Sequence, residues 1–241
     1  MTGEERKPTA TRVAGTKVTP VIDPKATYSA VSATFTVPKA TPGANNPQER
    51  FQSSSVWVGI DGSTYDKAIL QTGIYVELVN GTTRYTGWHE WLPSQAGDFS
   101  LAIRQGDILA LRVRSHNSTS GWVEIENHTT GKAASKVMHA PNPTATLRGE
   151  NAEWIVEDFT MKNVVPFVNF GQIDFWGAGA DSAKEAQSNL HDTSTVDIRQ
   201  AGKILTNTTI LSNSHMKVVY AGANPPAAKP PAAKPPGGRK A

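Results

Sequence analysis

The chain has 241 residues, of which 38% are hydrophobic and none is cysteine, and its formal net charge is +3. This length and composition suit one large domain with its own apolar core. The lack of cysteine excludes disulfides, thiolate nucleophiles and thiolate metal sites. No apolar run reaches the roughly 18 residues that a membrane-spanning helix needs.

The positive charge is concentrated at the C-terminus and does not indicate a nucleic-acid partner. Four basic residues and no acidic residue occur in the last twenty positions, and removing these four from the 24 basic residues leaves 20 against 21 acidic ones. The body of the chain is therefore nearly neutral. It also shows no basic stripe interleaved with aromatic residues, so we predict neither a nucleic-acid partner nor a membrane partner.

Composition divides the chain into three regions. Residues 1–25 are polar with little periodicity, which predicts a flexible leader or a propeptide remnant. No apolar stretch follows the charged start, so no signal peptide is visible. Residues 26–220 carry strand signals and are predicted to form one domain. Residues 221–241 repeat a Pro-Pro-Ala-Ala-Lys unit and are predicted to be a disordered tail.

Strands dominate the middle region in chain order. β-branched and alternating segments bounded by turn residues predict strands at 28–37, 54–60, 68–78, 84–91, 108–115, 122–128, 152–159, 165–175, 203–211 and 216–220. Only residues 183–190 have a helical composition. Many strands of similar length with short connections predict an all-β fold, with two antiparallel sheets packed as a β-sandwich.

Two polar residues lie in strands whose alternation turns them away from the apolar face. In residues 68–78, Gln71 and Tyr75 alternate with Leu70, Ile74 and other apolar residues. In residues 152–159, Glu153 and Glu157 share one side. An amide and a carboxylate brought together on an open sheet face have the chemistry to hydrolyse a peptide bond.

Other strands extend this polar face. Their alternation predicts that one sheet presents Trp57, Trp88, Glu90 and Glu124 beside Gln71 and Glu153. Exposed tryptophans are costly without a purpose, which favours a binding cleft. The alternative is a face that is merely solvated. Trp154, on the opposite side of its strand, is predicted to be a core residue.

Five segments resemble the glutamic peptidases, or eqolisins, in their order and spacing. They are residues 28–38, Val-Trp-Val-Gly-Ile-Asp-Gly at 56–62, Ala-Ile-Leu-Gln-Thr-Gly at 68–73, Trp-His-Glu-Trp-Leu-Pro at 88–93 and Ala-Glu-Trp-Ile-Val-Glu-Asp-Phe at 152–159. The resemblance implies a concanavalin-like lectin or glucanase sandwich and a secreted, pepstatin-insensitive, acid-active endopeptidase that cleaves polypeptides. It places the catalytic glutamine on Gln71 and the catalytic glutamate on Glu153.

The residue types fit that chemistry. We expect Glu153 to take a proton from the attacking water and Gln71 to stabilise the tetrahedral intermediate. We expect Trp57, Tyr75, Trp88, Glu90 and Glu157 to bind the substrate, with Glu157 tuning Glu153 or belonging to a polar network beneath the site. No metal or other cofactor is expected, and nothing calls for more than a monomer.

Three departures from the family pattern keep other functions open. Residues 12–15 replace an Asn-Trp pair found in many relatives, Tyr75 replaces an acid, and His89 replaces an aromatic residue. One alternative is therefore a non-catalytic module that binds peptides or glycans in a degenerate cleft. Another is a retaining glycosidase that uses Glu153 and Glu157. Serine-hydrolase and zinc-peptidase motifs are absent from the sequence.

Overall fold

The computed structural model describes residues 13–18, 27–45, 47–159, 165–182, 190, 193–200 and 203–222, with only the backbone considered for 13–18. Its strands are β1 (Val13–Val18), β2 (Tyr28–Thr36), β3 (Phe51–Ile60), β4 (Leu70–Val79), β5 (Thr82–Trp91), β6 (Gly97–Asp98), β7 (Ile108–Asn117), β8 (Ser120–Asn127), β9 (Lys132–His139), β10 (Ala152–Glu157), β11 (Gln172–Ser182), β12 (Thr193–Val196), β13 (Arg199–Gln200), β14 (Lys203–Ile204), β15 (Thr206–Ser212) and β16 (His215–Tyr220). Within these ranges no helix is long and apolar enough to cross a membrane.

The strands form two seven-stranded sheets. The first sheet has the order β12-β1-β10-β3-β4-β5-β6, and the second has the order β15-β16-β11-β2-β7-β8-β9. Neighbouring strands in both sheets are antiparallel. A separate pair, β13 and β14, forms a small two-stranded sheet. The predicted all-β sandwich is confirmed.

The apolar faces of the two sheets pack against each other. The first sheet contributes Val56, Val58, Ile60, Leu70, Ile74, Val76 and Trp154, and the second contributes Val31, Phe35, Leu109, Leu111, Ile125 and Phe175. Trp154 is fully buried, as predicted, and its indole N–H donates to the Ser32 carbonyl at 2.8 Å across the sandwich. Because side chains alternate along a strand, this packing turns Gln71 and Glu153 to the opposite face of the first sheet.

The structure corrects the prediction for part of the N-terminal region. Val13–Val18 is not a loosely held segment, since it forms β1 between β10 and β12. The segment Val-Ala-Gly-Thr-Lys-Val has no regular alternation to signal a strand, and pairing with β10 and β12 stabilises it. The remaining residues of the predicted leader and residues 223–241 of the predicted tail lie outside the described residues, as do residues 183–189 of the predicted helix.

One further strand prediction needs correction, and one long strand was not predicted. The strand predicted at 165–175 begins only at Gln172, because a turn precedes it: the Asn169 side chain accepts from the Gly171 N–H at 2.8 Å, and Gly171 has a φ of 68°. Phe167 and Phe170 before that turn pack into the core instead. Strand β9 was not predicted, because as a largely exposed edge strand it has no apolar alternation.

Candidate active site

Gln71 and Glu153 lie in one row across the first sheet. On β3, Gly59 pairs with Gln71 of β4 on one side and with Glu153 of β10 on the other. The two side chains therefore share a face and stand two interstrand spacings apart, about 10 Å between backbones. Both are buried, with 6% and 5% of their surface exposed. We call Glu153, Gly59, Gln71 and Glu90, which pairs with Gln71 on β5, the dyad row.

Gly59 leaves no room for a larger side chain between Gln71 and Glu153. A Cβ atom at this position would lie 3.2 Å from the Gln71 Cβ and 3.1 Å from the Trp57 Cζ3. Any larger residue would therefore displace these neighbours, so the close packing of the row depends on a glycine here.

Glu90 binds the amide of Gln71 from the side away from Glu153. The Gln71 Nε2 donates to the Glu90 Oε2 at 2.6 Å. The Gln71 Oε1 is buried and has no hydrogen-bond partner among the described residues. Burial raises the pKa of Glu90, while the hydrogen bonds from Gln71 and from the Ala96 N–H act in the opposite direction.

An aromatic cluster lies beside the dyad row on the same face. Trp57, Trp88 and Ile155 are buried together with Tyr75 packed against them, and the rings of Tyr75 and Trp88 stack at 5.6 Å between centroids. The Phe159 ring also contacts the Tyr75 ring, with 5.2 Å between their centroids. Gly73 makes room for the cluster, since a Cβ there would lie 2.6 Å from the Trp57 Cβ.

The tryptophans are more buried than expected. Trp57 and Trp88 are each only 4% exposed, so the prediction of exposed tryptophans is wrong. They pack against each other and against Tyr75 instead of standing in solvent. The Trp57 indole N–H donates to the Glu157 Oε2 at 2.9 Å, which ties Glu157 to this cluster.

Tyr75 contributes no charge near the dyad row. Burial, with the carboxylates of Glu90, Asp98, Glu157 and Glu77 acting in the same direction, raises its pKa to about 12. The phenol therefore stays protonated through the acidic and neutral range. At position 75, where many relatives were expected to have an acidic residue, this chain has a neutral aromatic ring.

Glu124 does not belong to this face. It lies on β8 of the second sheet, where its carboxylate contacts the Arg112 guanidinium at 2.6 Å. Alternation along a strand shows which residues share a side, but it does not show which sheet the strand joins. The prediction that Glu124 lines the cleft is therefore wrong, whereas the other predicted site residues do lie on one face of the first sheet.

Two loop residues that the sequence analysis did not single out hold the dyad row in register. Asp61 follows β3, and its carboxylate accepts from the backbone N–H groups of Arg148, Gly149 and Glu150 at 2.7, 3.0 and 2.6 Å. Asn151 precedes β10, and its Oδ1 accepts from the N–H groups of Ser63 and Thr64 at 3.1 and 2.9 Å. Each loop therefore carries the acceptor for the other.

The dipeptide Asp61-Gly62 indicates a turn in the sequence, but the sequence does not show which loop Asp61 binds. Asp61 has a left-handed φ of 66°. Burial raises the pKa of its carboxyl group, although the four backbone hydrogen bonds around it lower that pKa in part. The loop brings Gly62 beside the site, where a Cβ would lie 3.7 Å from the Glu153 Oε2. Among the described residues, no three or more His, Cys, Asp or Glu side chains are arranged to hold a metal ion.

The sandwich carries a row of one amide and two carboxylates on the outer face of one sheet, and comparison with known proteins identifies the class of this protein. The family model of the peptidase A4 family matches residues 12–220. Aspergillopepsin-2 of Aspergillus niger is 36% identical over 203 residues, which is 78% of this chain and 71% of the relative. Scytalidopepsin B of Scytalidium lignicola is 36% identical over 170 residues, or 67% of this chain and 62% of the relative.

Solved structures of glutamic peptidases are similar to this chain over most of its length. Scytalido-glutamic peptidase with a transition-state analogue inhibitor superposes with a TM-score of 0.76 at 30% identity, covering 88% of this chain and all of that chain. Aspergilloglutamic peptidase from Aspergillus niger gives a TM-score of 0.66 at 38% identity, covering 70% of this chain and 99% of that chain. The chain belongs to the peptidase A4 family, the eqolisins, and is a glutamic peptidase that acts on polypeptides.

Proposed function

We propose that this protein is an acid-active endopeptidase whose catalytic residues are Gln71 and Glu153. The observation that carries the proposal is the register of the dyad row, in which Gly59 separates the buried amide from the buried carboxylate. Peptide hydrolysis requires a group that deprotonates water and a group that stabilises the resulting oxyanion. These two side chains supply both on one face.

The steps follow from the donor and acceptor capacity of each group. Glu153, as a carboxylate, accepts a proton from water while the water oxygen attacks the peptide carbonyl carbon. The Gln71 Oε1 accepts the other water hydrogen, and a Gln71 Nε2 hydrogen binds the oxygen that becomes negative. The C–N bond then breaks, and Glu153 returns its proton to the leaving amine.

Acid activity is proposed from the resemblance of the five sequence segments to the glutamic peptidases. Tyr75, with its pKa of about 12, stays neutral at acidic pH and adds no negative charge beside the dyad row.

Substrate contacts are proposed beside the dyad row. Tyr75 is partly exposed and packs against the buried Trp57 and Trp88, and Glu157 and Glu90 flank this cluster with carboxylates. The Tyr75 ring is proposed to bind apolar side chains of an extended peptide. We further propose that the protein acts outside the cell as a monomer. The division into a leader, a domain at 26–220 and a tail at 221–241 stays a prediction, apart from β1.

Peptidase assays on a denatured protein substrate from pH 2 to 7 test the dyad. Gln71→Ala is expected to lower kcat about a hundredfold or more, because one oxyanion donor is lost. Glu153→Gln is expected to lower it at least as much. Glu124→Gln is the matched control, since it removes a carboxylate on the other sheet, and it is expected to retain wild-type kcat. Full activity of Glu153→Gln would contradict the proposal.

The glycosidase alternative has weaker geometric support. Glu153 and Glu157 share a face but lie four residues apart on one strand, about 13 Å between Cα atoms. A retaining glycosidase needs its two carboxyl groups about 5 Å apart. Glu157 is also bound by the Trp57 indole. Family membership decides among the three functions that the sequence left open in favour of the peptidase.

A further inference from the structure

Glu90 makes a contact that suggests a role other than binding substrate. It pairs directly with Gln71 across β4 and β5, and its Oε2 accepts the Gln71 Nε2 hydrogen at 2.6 Å. Directly opposite residues in an antiparallel pair have Cβ atoms about 5 Å apart, so both side chains reach this contact without leaving the row. Glu90 is itself half-buried and accepts from the Ala96 N–H.

The contact constrains which end of the amide is available. An amide has a donor end and an acceptor end of nearly the same shape, and a glutamine can turn either end towards a neighbour. The Glu90 carboxyl group accepts from both the Gln71 Nε2 and the Ala96 N–H, so it selects the donor end of the amide. The Gln71 Oε1 is then left without a partner among the described residues, although it is buried. A buried acceptor without a partner costs free energy, which a donor such as water relieves.

We propose that Glu90 is a positioning residue that fixes the orientation of the Gln71 amide, so that Oε1 is kept for the attacking water and one Nε2 hydrogen for the oxyanion. Glu90 acts through Gln71 and does not itself touch the reacting atoms. The sheet order supports this arrangement, because Glu90 lies on the side of Gln71 away from Glu153. This inference rests on the proposed catalytic role of Gln71.

A double-mutant cycle tests the inference. Glu90→Gln keeps the size of the side chain but replaces an acceptor with a group that both donates and accepts, so the Gln71 amide can turn over. It is expected to lower kcat about tenfold and to change KM less than twofold. In a Gln71→Ala background the same substitution is expected to change kcat less than twofold, because the residue through which Glu90 acts is gone.

The outcomes separate the two proposals. If Gln71→Ala keeps wild-type kcat, the catalytic role of Gln71 fails. If Gln71→Ala is impaired but Glu90→Gln has no effect alone, or lowers kcat equally in both backgrounds, the positioning role is overturned while the dyad stands. A rise in KM with unchanged kcat would make Glu90 a substrate-binding residue instead.

If Glu90→Gln misfolds, a measurement that needs no Glu90 variant still tests the proposal. In ¹⁵N-labelled Glu153→Gln protein, whose turnover is suppressed, one of the two Gln71 Nε2 protons is expected to exchange slowly with solvent and to resonate downfield, as a donor to a carboxylate does. Two rapidly exchanging Nε2 protons with the shifts of a solvent-exposed glutamine would overturn the proposal.

Discussion

Asp61 and Asn151 each bind the backbone of the loop that carries the other. Asp61 accepts three N–H groups of residues 148–150, and Asn151 accepts those of Ser63 and Thr64. The Asp61 N–H also donates to the Asn151 carbonyl at 3.0 Å. Since Gly59 lies two residues before Asp61 and Glu153 two residues after Asn151, this reciprocal pairing fixes the register of the dyad row.

Asp61→Asn is expected to destabilise the protein and lower its activity. The new amide places N–H hydrogens against backbone donors inside a buried loop, at a cost of about 2–4 kcal/mol. Urea unfolding measures the loss, and kcat is expected to fall as Glu153 moves relative to Gly59. Glu150→Gln alters only exposed contacts, to the Thr64 hydroxyl and to the Arg148 guanidinium, and serves as the control, with a change of at most about 0.5 kcal/mol. Equal stability of the two variants would contradict this account.

Gly59→Ala tests whether the dyad row requires a glycine between Gln71 and Glu153. The added methyl group would lie 3.2 Å from the Gln71 Cβ and 3.1 Å from the Trp57 Cζ3, so these side chains must shift. We expect kcat to fall about tenfold or more, because small displacements of catalytic groups are costly, and stability to fall as well. Gly179→Ala on the second sheet has its nearest neighbour 4.0 Å from the added Cβ and serves as the control. A Gly59→Ala enzyme with wild-type kcat would count against this requirement.

Three carboxyl groups, one buried and two half-buried, are expected to make the fold more stable in acid. Burial raises the pKa of Asp61, Glu77 and Glu90 above their ordinary values. Between the ordinary and the raised value the folded state binds more protons than the unfolded state does, so stability falls as the pH rises through that window. Urea unfolding at pH 3.5 and pH 7 is expected to show Glu77→Gln gaining stability relative to wild type at the higher pH.

Glu126 provides a control with the opposite sign. The hydrogen bond from Arg112 lowers its pKa, so its contribution is present at neutral pH and is lost as the pH falls. Glu126→Gln is therefore expected to lose stability relative to wild type at pH 7 and to lose less at pH 3.5. If both variants respond to pH with the same sign, the pKa assignments are incorrect.

His89 is expected to limit stability in acid. Burial lowers its pKa from 6.5, the nearby Lys136 lowers it further, and its Nδ1 has no hydrogen-bond partner among the described residues. The unfolded state therefore binds the proton more readily, and stability falls as the pH drops from 6.5 to the lowered value.

His89→Phe removes that proton while keeping a ring against Phe99, whose centroid lies 4.8 Å from that of His89. Its stability relative to wild type is expected to be higher at pH 4 than at pH 8, as measured by urea unfolding at both. His139→Phe, at an exposed position, is the control. A relative stability of His89→Phe that does not change with pH would rule out this role of His89.

Much of the site was predictable because alternation in a strand is a local property. The side chains of Gln71 and Glu153 face away from the core because Leu70, Ile74, Trp154 and Val156 face into it, and this pattern is written in each segment separately. The predicted catalytic and substrate-binding residues share one face for this reason. The similarity to known glutamic peptidase segments supplied what alternation does not, namely which polar residues to pair.

Tertiary structure decided what depends on contacts between distant segments. The sequence determined that the protein is an all-β sandwich with an amide and an acid on polar strand faces, since side-chain direction follows from the period of a strand. Only the fold decided that Glu124 belongs to the other sheet, that Val13–Val18 completes the first sheet, and that Asp61 and Asn151 hold two loops together. The pairing of β3 with β10 joins residues such as Gly59 and Glu153, which are far apart in the sequence, and no local pattern specifies those partners.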